Sequence, residues 1–220
     1  MNKKLQVIGG GKMGEALLGG LISKGWADAE AMHIVEPDPD RRSYLETELK
    51  GVTIGVELLE GTDALIAVKP HIVLEVCSSL RKASVTRVLS IAAGITLSSL
   101  EDELGPHTSV LRAMPNTPSL VGQGAAGLAS GSLASSDDLK WGQSILSAVG
   151  GVVVVDESDL DAVTRKSGSG PAYVFLLAEK LIEAAKSEGL THQVAVELTC
   201  LLYTSPSPRD ATLSRMPSSA

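Results

Sequence analysis

The sequence predicts an α/β protein: a Rossmann-like, doubly wound, mostly parallel sheet followed by the start of an all-α domain, which the resemblance given below makes a dimerisation domain. Three observations predict it. Short β-branched runs alternate with helical stretches up to about Asp156, the pattern of right-handed βαβ units. A G-x-G-x-x-G stretch directly follows the first strand and opens a helix. From GPAYVFLLAEKLIEAAKSEG onward there is one long apolar helical run and no strand after it.

Taken in order, LQVIG reads as the first strand and KMGEALLGGLISKG as the helix behind it. MHIVE is a strand, DPDRRSYLETEL a helix, VTIG a short run and DALIAV another strand. PHIVLEVCSSLRKA is a helix. TRVLSIAAG, SVLRAM and GGVVVV are strands, with LSSLEDEL and LKWGQSILSAV as helices among them. In the final helix Pro171 stands in the first turn and Gly189 closes the run, both favoured positions. That helix is apolar nearly all round, at Ala172, Val174, Phe175, Leu176, Leu177 and Ala178, so it needs cover on more than one side.

Composition narrows the function. Hydrophobic residues at 44% and charged ones at 20% fit a folded globular chain, and 3% aromatics leave the core to aliphatic residues. A net charge of −7 without a basic stripe argues against nucleic acid or an anionic membrane as partner. Two cysteines, Cys77 and Cys200, make neither a disulfide framework nor a metal cluster, and the four scattered histidines have no metal-ligand spacing. No metal is expected. The charged opening with its short apolar run is no signal peptide, no run is long enough to span a membrane, and a cytoplasmic location is expected.

The chemistry-bearing stretches are few. In Gly9-Gly10-Gly11-Lys12-Met13-Gly14 the first motif glycine permits a tight turn, the second admits a pyrophosphate to the backbone, and the third lets helix and strand pack closely. Glu36, roughly 20 residues beyond at the end of the second strand, suits a ribose 2′-hydroxyl and favours NADH. Arg41 and Arg42 offer the opposite possibility, a clamp for a 2′-phosphate. Ala67-Val68-Lys69-Pro70 and Ser90-Ile91-Ala92-Ala93-Gly94 end two further strands, where a ligand of an open α/β sheet lies. Lys69 brings a positive charge near a phosphate or a substrate carboxylate. Arg112-Ala113-Met114-Pro115-Asn116-Thr117-Pro118 is a stiff polar loop presenting Asn116. Ser167-Gly168-Ser169-Gly170-Pro171-Ala172-Tyr173 is either a linker or a second set of free N–H groups.

Together and in this order, GGGKMGEALLGG, AVKPH, SIAAGIT, RAMPNTP and SGSGPAY resemble pyrroline-5-carboxylate reductase, from about Leu5 to Thr199. The resemblance implies an oxidoreductase that reduces 1-pyrroline-5-carboxylate to L-proline with NADPH or NADH. It implies a cofactor over Gly9, Gly11 and Gly14, with the diphosphate on the loop Gly10 to Met13. The nicotinamide end would lie near Val68, Lys69, Pro70, Ala92 and Ala93, and Asn116 would border the site of hydride transfer. It further implies a homodimer or larger ring joined through C-terminal helices. Lys12 stands where many relatives have Asn or Gln. Two other readings stay open: a relative of the β-hydroxyacid dehydrogenases, for which Lys180 is the candidate catalytic lysine, and a non-catalytic dinucleotide-binding module.

The expected organisation is 1–156 as the dinucleotide-binding domain, 157–199 as the beginning of an all-helical domain, and 200–220 as a non-native tail. Cys200 to Asp210 back-translate without mismatch to a sequence that looks like a short-read library adapter, and Ser214 to Ala220 to the flow-cell end of such an adapter. A natural Ser/Pro-rich tail is the plain alternative. The resemblance places an S-P-G-G-T-T stretch, which grips the substrate, beyond Thr199, so the chain as written is expected to bind dinucleotide and turn over poorly.

Overall fold

The structure, a computed structural model, describes residues 3–204. Residues 205–220 of the expected tail lie outside the described residues, while Cys200 to Thr204 complete the last helix. Among the described residues the sheet has eight strands: β1 (Leu5–Ile8), β2 (Met32–Val35), β3 (Thr53–Gly55), β4 (Ala64–Ile66), β5 (Arg87–Ser90), β6 (Ser109–Met114), β7 (Gly124–Ser130) and β8 (Gly150–Val154). Their order is β3-β2-β1-β4-β5-β6-β7-β8. All neighbours run parallel except β6 and β7, where Leu111 faces Ser130 and Met114 faces Gly127.

Helices cover both faces, which is why the central strands read as unbroken apolar runs instead of alternating ones. On one face α1 (Lys12–Ser23), α2 (Pro39–Glu48) and α5 (Ser136–Leu146) pack Leu17, Leu18, Leu21, Leu45, Ile145 and Leu146 against Leu5, Val7, Ile34, Leu65, Leu89 and Leu111. On the other, α3 (Val73–Lys82), α4 (Leu97–Leu104) and α6 (Leu160–Val163) supply Val73, Leu80, Leu100 and Leu160, against Ile8, Ala64, Ile66, Val88 and Val110. Along the central strands β4 and β5 successive apolar residues go to opposite cores, the period of two expected of a pleated strand. Gln6, fully buried in β1, is satisfied: its amide donates to the Leu59 and Thr62 carbonyls at 2.8 and 2.9 Å and accepts from the Leu59 N–H at 2.9 Å. It fixes the loop that feeds β4.

Strand β7 is absent from the sequence-based reading. GAAGLAS has poor β-propensity, yet it sits between β6 and β8 with both edges paired. Its small residues are what the site admits, since a Cβ on Gly127 would lie 3.0 Å from both Leu160 and Val163. Tertiary pairing here overrides local preference.

By contacts the chain divides between Ser169 and Gly170. The expected boundary after Asp156 falls earlier. Residues between the two points stay with the sheet because Leu160 of α6 is buried in its second core. After α6 the chain tightens into a π turn, Thr164–Gly168, with the Ser169 N–H donating to the Thr164 carbonyl at 3.0 Å. The second unit contains α7 (Gly170–Ser187) and α8 (His192–Thr204), packed on each other. Helix α7 ends as anticipated at Gly189, φ +97°, with the Leu190 N–H on the Ala185 carbonyl and the Gly189 N–H on that of Lys186. None of its residues is buried, and Tyr173, Phe175, Leu176 and Leu177 are more than half exposed. Among the described residues no helix is long and apolar enough to cross a membrane.

Helix α5 opens with a reciprocal cap: the Asp138 N–H donates to the Ser135 hydroxyl at 3.2 Å, and the Ser135 hydroxyl and N–H donate to the Asp138 carboxylate at 2.7 and 2.9 Å. Burial pushes the Asp138 carboxyl up, but those hydrogen bonds and the Arg87 guanidinium outweigh it and hold it below its ordinary value. A depressed folded value stabilises the protein above the unfolded pKa, and that contribution is lost as pH falls through the folded one. Urea midpoints should therefore drop below about pH 4. Asp138→Asn should cost on the order of 1 kcal/mol at neutral pH and flatten that acid-side fall. An unchanged acid profile in the variant would contradict this assignment.

Candidate functional site

Strand order reverses between β1 and β4, each continuing to its own side of the sheet. Loops leaving their carboxyl ends must diverge, and a crevice opens between them. Here it is a cleft of about 1050 Å³. Among the residues proposed from sequence it is lined by Gly9, Gly11, Lys12, Met13, Glu36, Val68, Lys69, Pro70, Ala92 and Ala93. Gly10, Gly14, Arg41 and Asn116 do not line it. Each of these four is instead engaged with the protein behind the cleft wall.

The glycines divide the work as their spacing suggests. Gly9 has φ +104°, and a Cβ there would meet the Ala67 carbonyl oxygen at 2.8 Å and Val68 at 2.9 Å. A Cβ on Gly14 would lie 2.2 Å from the Gly9 carbonyl oxygen. Helix α1 thus presses directly on the end of β1. Around Gly11 a Cβ would meet nothing within 4 Å. Gly11 is also the helix N-cap and has no side-chain cap, so the leading N–H groups and the positive end of the dipole are left for a ligand. Open space over bare backbone at a helix start fits a diphosphate.

Glu36 ends β2 with its carboxylate held on both oxygens: the Gly10 N–H donates to Oε2 at 2.8 Å and the Asp38 N–H to Oε1 at 3.0 Å. Gly10 therefore serves to position Glu36, and its own Cβ would collide with Leu45 at 2.5 Å. Arg41 donates through Nε to the Gly10 carbonyl at 2.6 Å and through Nη2 to Glu15 at 2.5 Å, and its guanidinium lies over the Tyr44 ring. Arg42 donates to the Glu36 and Pro37 carbonyls at 2.9 and 2.7 Å. Both arginines are spent on the loop framework. Tyr44, whose hydroxyl donates to Glu15 at 3.2 Å, completes the group.

The opposite wall comes from the ends of β4 and β5. Lys69, beside Pro70, carries a positive charge at the cleft wall, while Ala92 and Ala93 offer little side-chain bulk there. Asn116 is buried: its carbonyl oxygen accepts from the Ala125 N–H at 2.9 Å and its amide donates to the Ser167 carbonyl at 3.0 Å. It ties the loop after β6 to the π turn, and its neighbours Met114, Pro115 and Thr117 reach the cleft. Sequence reasoning missed Ile72, Glu75, Val76 and Ser79, which also line it. Their helical spacing in PHIVLEVCSSL was the available signal, one face of a helix that follows a strand end.

Lys180 is exposed on α7 with its ammonium 2.7 Å from Glu183, whose hydrogen bond and charge raise its pKa. A lysine poised for proton transfer needs the reverse shift. Among the described residues no three His, Cys, Asp or Glu side chains gather where they could hold a metal ion.

Comparison with known proteins places this arrangement. Residues 4–94 match the family described as NADP oxidoreductase, coenzyme F420-dependent, and residues 157–203 match pyrroline-5-carboxylate reductase dimerisation. The chain is 41% identical over 205 residues to a pyrroline-5-carboxylate reductase of Mycobacterium tuberculosis, covering 89% of this chain and 69% of the relative. Its structure resembles that of a pyrroline-5-carboxylate reductase from Coxiella burnetii, with a TM-score of 0.86, 33% identity, and coverage of 100% of this chain and 87% of the other. It also resembles the Plasmodium falciparum pyrroline carboxylate reductase determined with NADP bound, with a TM-score of 0.79, 27% identity, and coverage of 99% and 85%.

The two motif glycines should separate on substitution. Gly14→Ala forces a methyl into the Gly9 carbonyl and should destabilise the fold by roughly 2 kcal/mol or more. Gly11→Ala meets open space at a φ of −64°, so stability should hold or rise by up to about 1 kcal/mol. Chemical denaturation of the two variants checks this, and equal losses would contradict it.

Proposed function

Because this chain belongs to the pyrroline-5-carboxylate reductase family, we propose that its carboxyl-edge cleft is where NAD(P)H and the cyclic imine meet. The function is reduction of 1-pyrroline-5-carboxylate to L-proline by an NAD(P)H-dependent oxidoreductase. The carrying observation is the bare Gly11 backbone at the start of α1, opening on the same cleft as Lys69, Ala92 and Ala93.

When bound, the dihydronicotinamide supplies a hydride to the carbon of the substrate C=N bond. The protein's share is placement. Gly11, Lys12 and Met13 would hold the diphosphate with N–H groups and the helix dipole. Val68, Pro70, Ala92 and Ala93 would let a flat ring lie close to the backbone, and the charge of Lys69 would pair with a phosphate or the substrate carboxylate. Asn116 keeps the loop of Met114, Pro115 and Thr117 rigid against that end of the cleft. The imine nitrogen would take a proton from solvent as the C=N carbon is reduced, and the groups on the cleft wall would act by holding the two reactants in place. Positioning therefore supplies most of the rate enhancement.

The exposed apolar side chains of α7, in the segment that matches the dimerisation family, are the surface we assign to a second copy of the chain. Burying residues of this size favours association by about 1.5–3 kcal/mol each, against the cost of lost translational and rotational freedom. The paired, charged Lys180 gives no support to a hydroxyacid dehydrogenase.

The test is transfer of label from 4-deuterated NAD(P)H into proline, dependent on added imine. Gly11→Ala should weaken dinucleotide binding by at least roughly tenfold, because its methyl occupies the approach of the diphosphate. Oxidation of a 3-hydroxy acid without imine reduction would support the dehydrogenase reading instead. Dinucleotide binding with no transfer to either substrate class, also in a chain extended through an S-P-G-G-T-T stretch, would support a non-catalytic module.

A further inference from the structure

We infer that the cleft selects NADH over NADPH, and that Glu36 is the discriminating residue; this rests on the cofactor reading above. A carboxylate at the end of β2 stands where the adenosine ribose of a bound dinucleotide lies. Glu36 is not a mobile surface acid. Its two oxygens are fixed by the Gly10 and Asp38 N–H groups at 2.8 and 3.0 Å, and it lines the cleft. A carboxylate has about four acceptor positions, so two remain for the ribose hydroxyls. No cation is ion-paired with it among the described residues. A 2′-phosphate in the same place would face a fixed negative charge.

The groups that could offset that charge are committed elsewhere. Arg41 is held by the Gly10 carbonyl, the Glu15 carboxylate and the Tyr44 ring, and Arg42 by the Glu36 and Pro37 carbonyls. Recruiting either to a 2′-phosphate means breaking the contacts that shape the loop. Lys12 is exposed, with its ammonium 3.9 Å from Glu15 and facing the Tyr44 ring. It presents one point charge and cannot make the two-pronged contact a guanidinium makes with phosphate.

The experiment is equilibrium titration of the full chain with NADH and with NADPH at one fixed salt concentration, followed by nucleotide fluorescence. No imine is needed, so the result is independent of turnover. NADH should bind at least roughly tenfold tighter, since like charges in contact cost several kcal/mol. Glu36→Gln, which keeps the shape and one acceptor, should shrink the ratio of the two dissociation constants at least roughly fivefold. Arg41→Met should weaken both nucleotides alike and leave the ratio unmoved, because structural damage does not distinguish them. Equal or tighter binding of NADPH by the unmodified chain would overturn the inference, as would selective loss of NADPH in Arg41→Met. Should Glu36→Gln lose both nucleotides, those two ratios still decide. Binding of neither nucleotide by the unmodified chain would overturn the cofactor site itself and this inference with it.

Discussion

The contact between α1 and the end of β1 sets everything at the carboxyl edge of the sheet. A hydrogen in place of a side chain at Gly14 lets the helix press onto the Gly9 carbonyl, and Gly9 in turn turns under Ala67 and Val68 of the neighbouring strand. No other residue type fits at either point. The consequence is directional: the start of α1, bare at Gly11, is aimed into the crevice that the reversal of strand order opens. A reaction that consists mainly of bringing a hydride donor and an imine together asks little more of a scaffold than such a fixed edge.

Around that contact runs a second layer of polar constraint. Glu36 comes from β2, Gly10 from the loop, Glu15 from α1, and Arg41 and Tyr44 from α2, and each holds at least one of the others. The loop is thereby held from three elements before any ligand arrives. The two arginines that read from sequence as free for a ligand are already in use, and Glu36 is left facing the cleft at the end of β2. The same economy appears at Asn116, whose amide nitrogen and oxygen both serve to brace a loop.

The second unit has a different logic. Helices α7 and α8 bury little between them, with Ala195 and Thr199 among the few buried positions. The apolar side chains of α7 remain outward. Exposed large hydrophobics in such density mark an interaction surface, in keeping with the dimerisation family to which this segment is matched.

The sequence by itself determined the alternation of strands and helices, the glycine-rich turn, the helix stop at Gly189, and the apolar character of α7. These are short-range matters: steric limits at glycine and the periods of 2 and 3.6. The residues lining the cleft at the strand ends were legible for the same reason, because a parallel sheet puts its ligand at one known edge. Tertiary structure alone decided that GAAGLAS is a strand, since only pairing on both edges and the nearness of Leu160 and Val163 favour so weak a sequence there. It also decided which face of α3, the one carrying Glu75, Val76 and Ser79, meets the cleft, and that Arg41 braces the loop rather than lining the cleft. Those outcomes depend on partners far away in the chain, and local pattern carries no information about which distant group will take a hydrogen bond first.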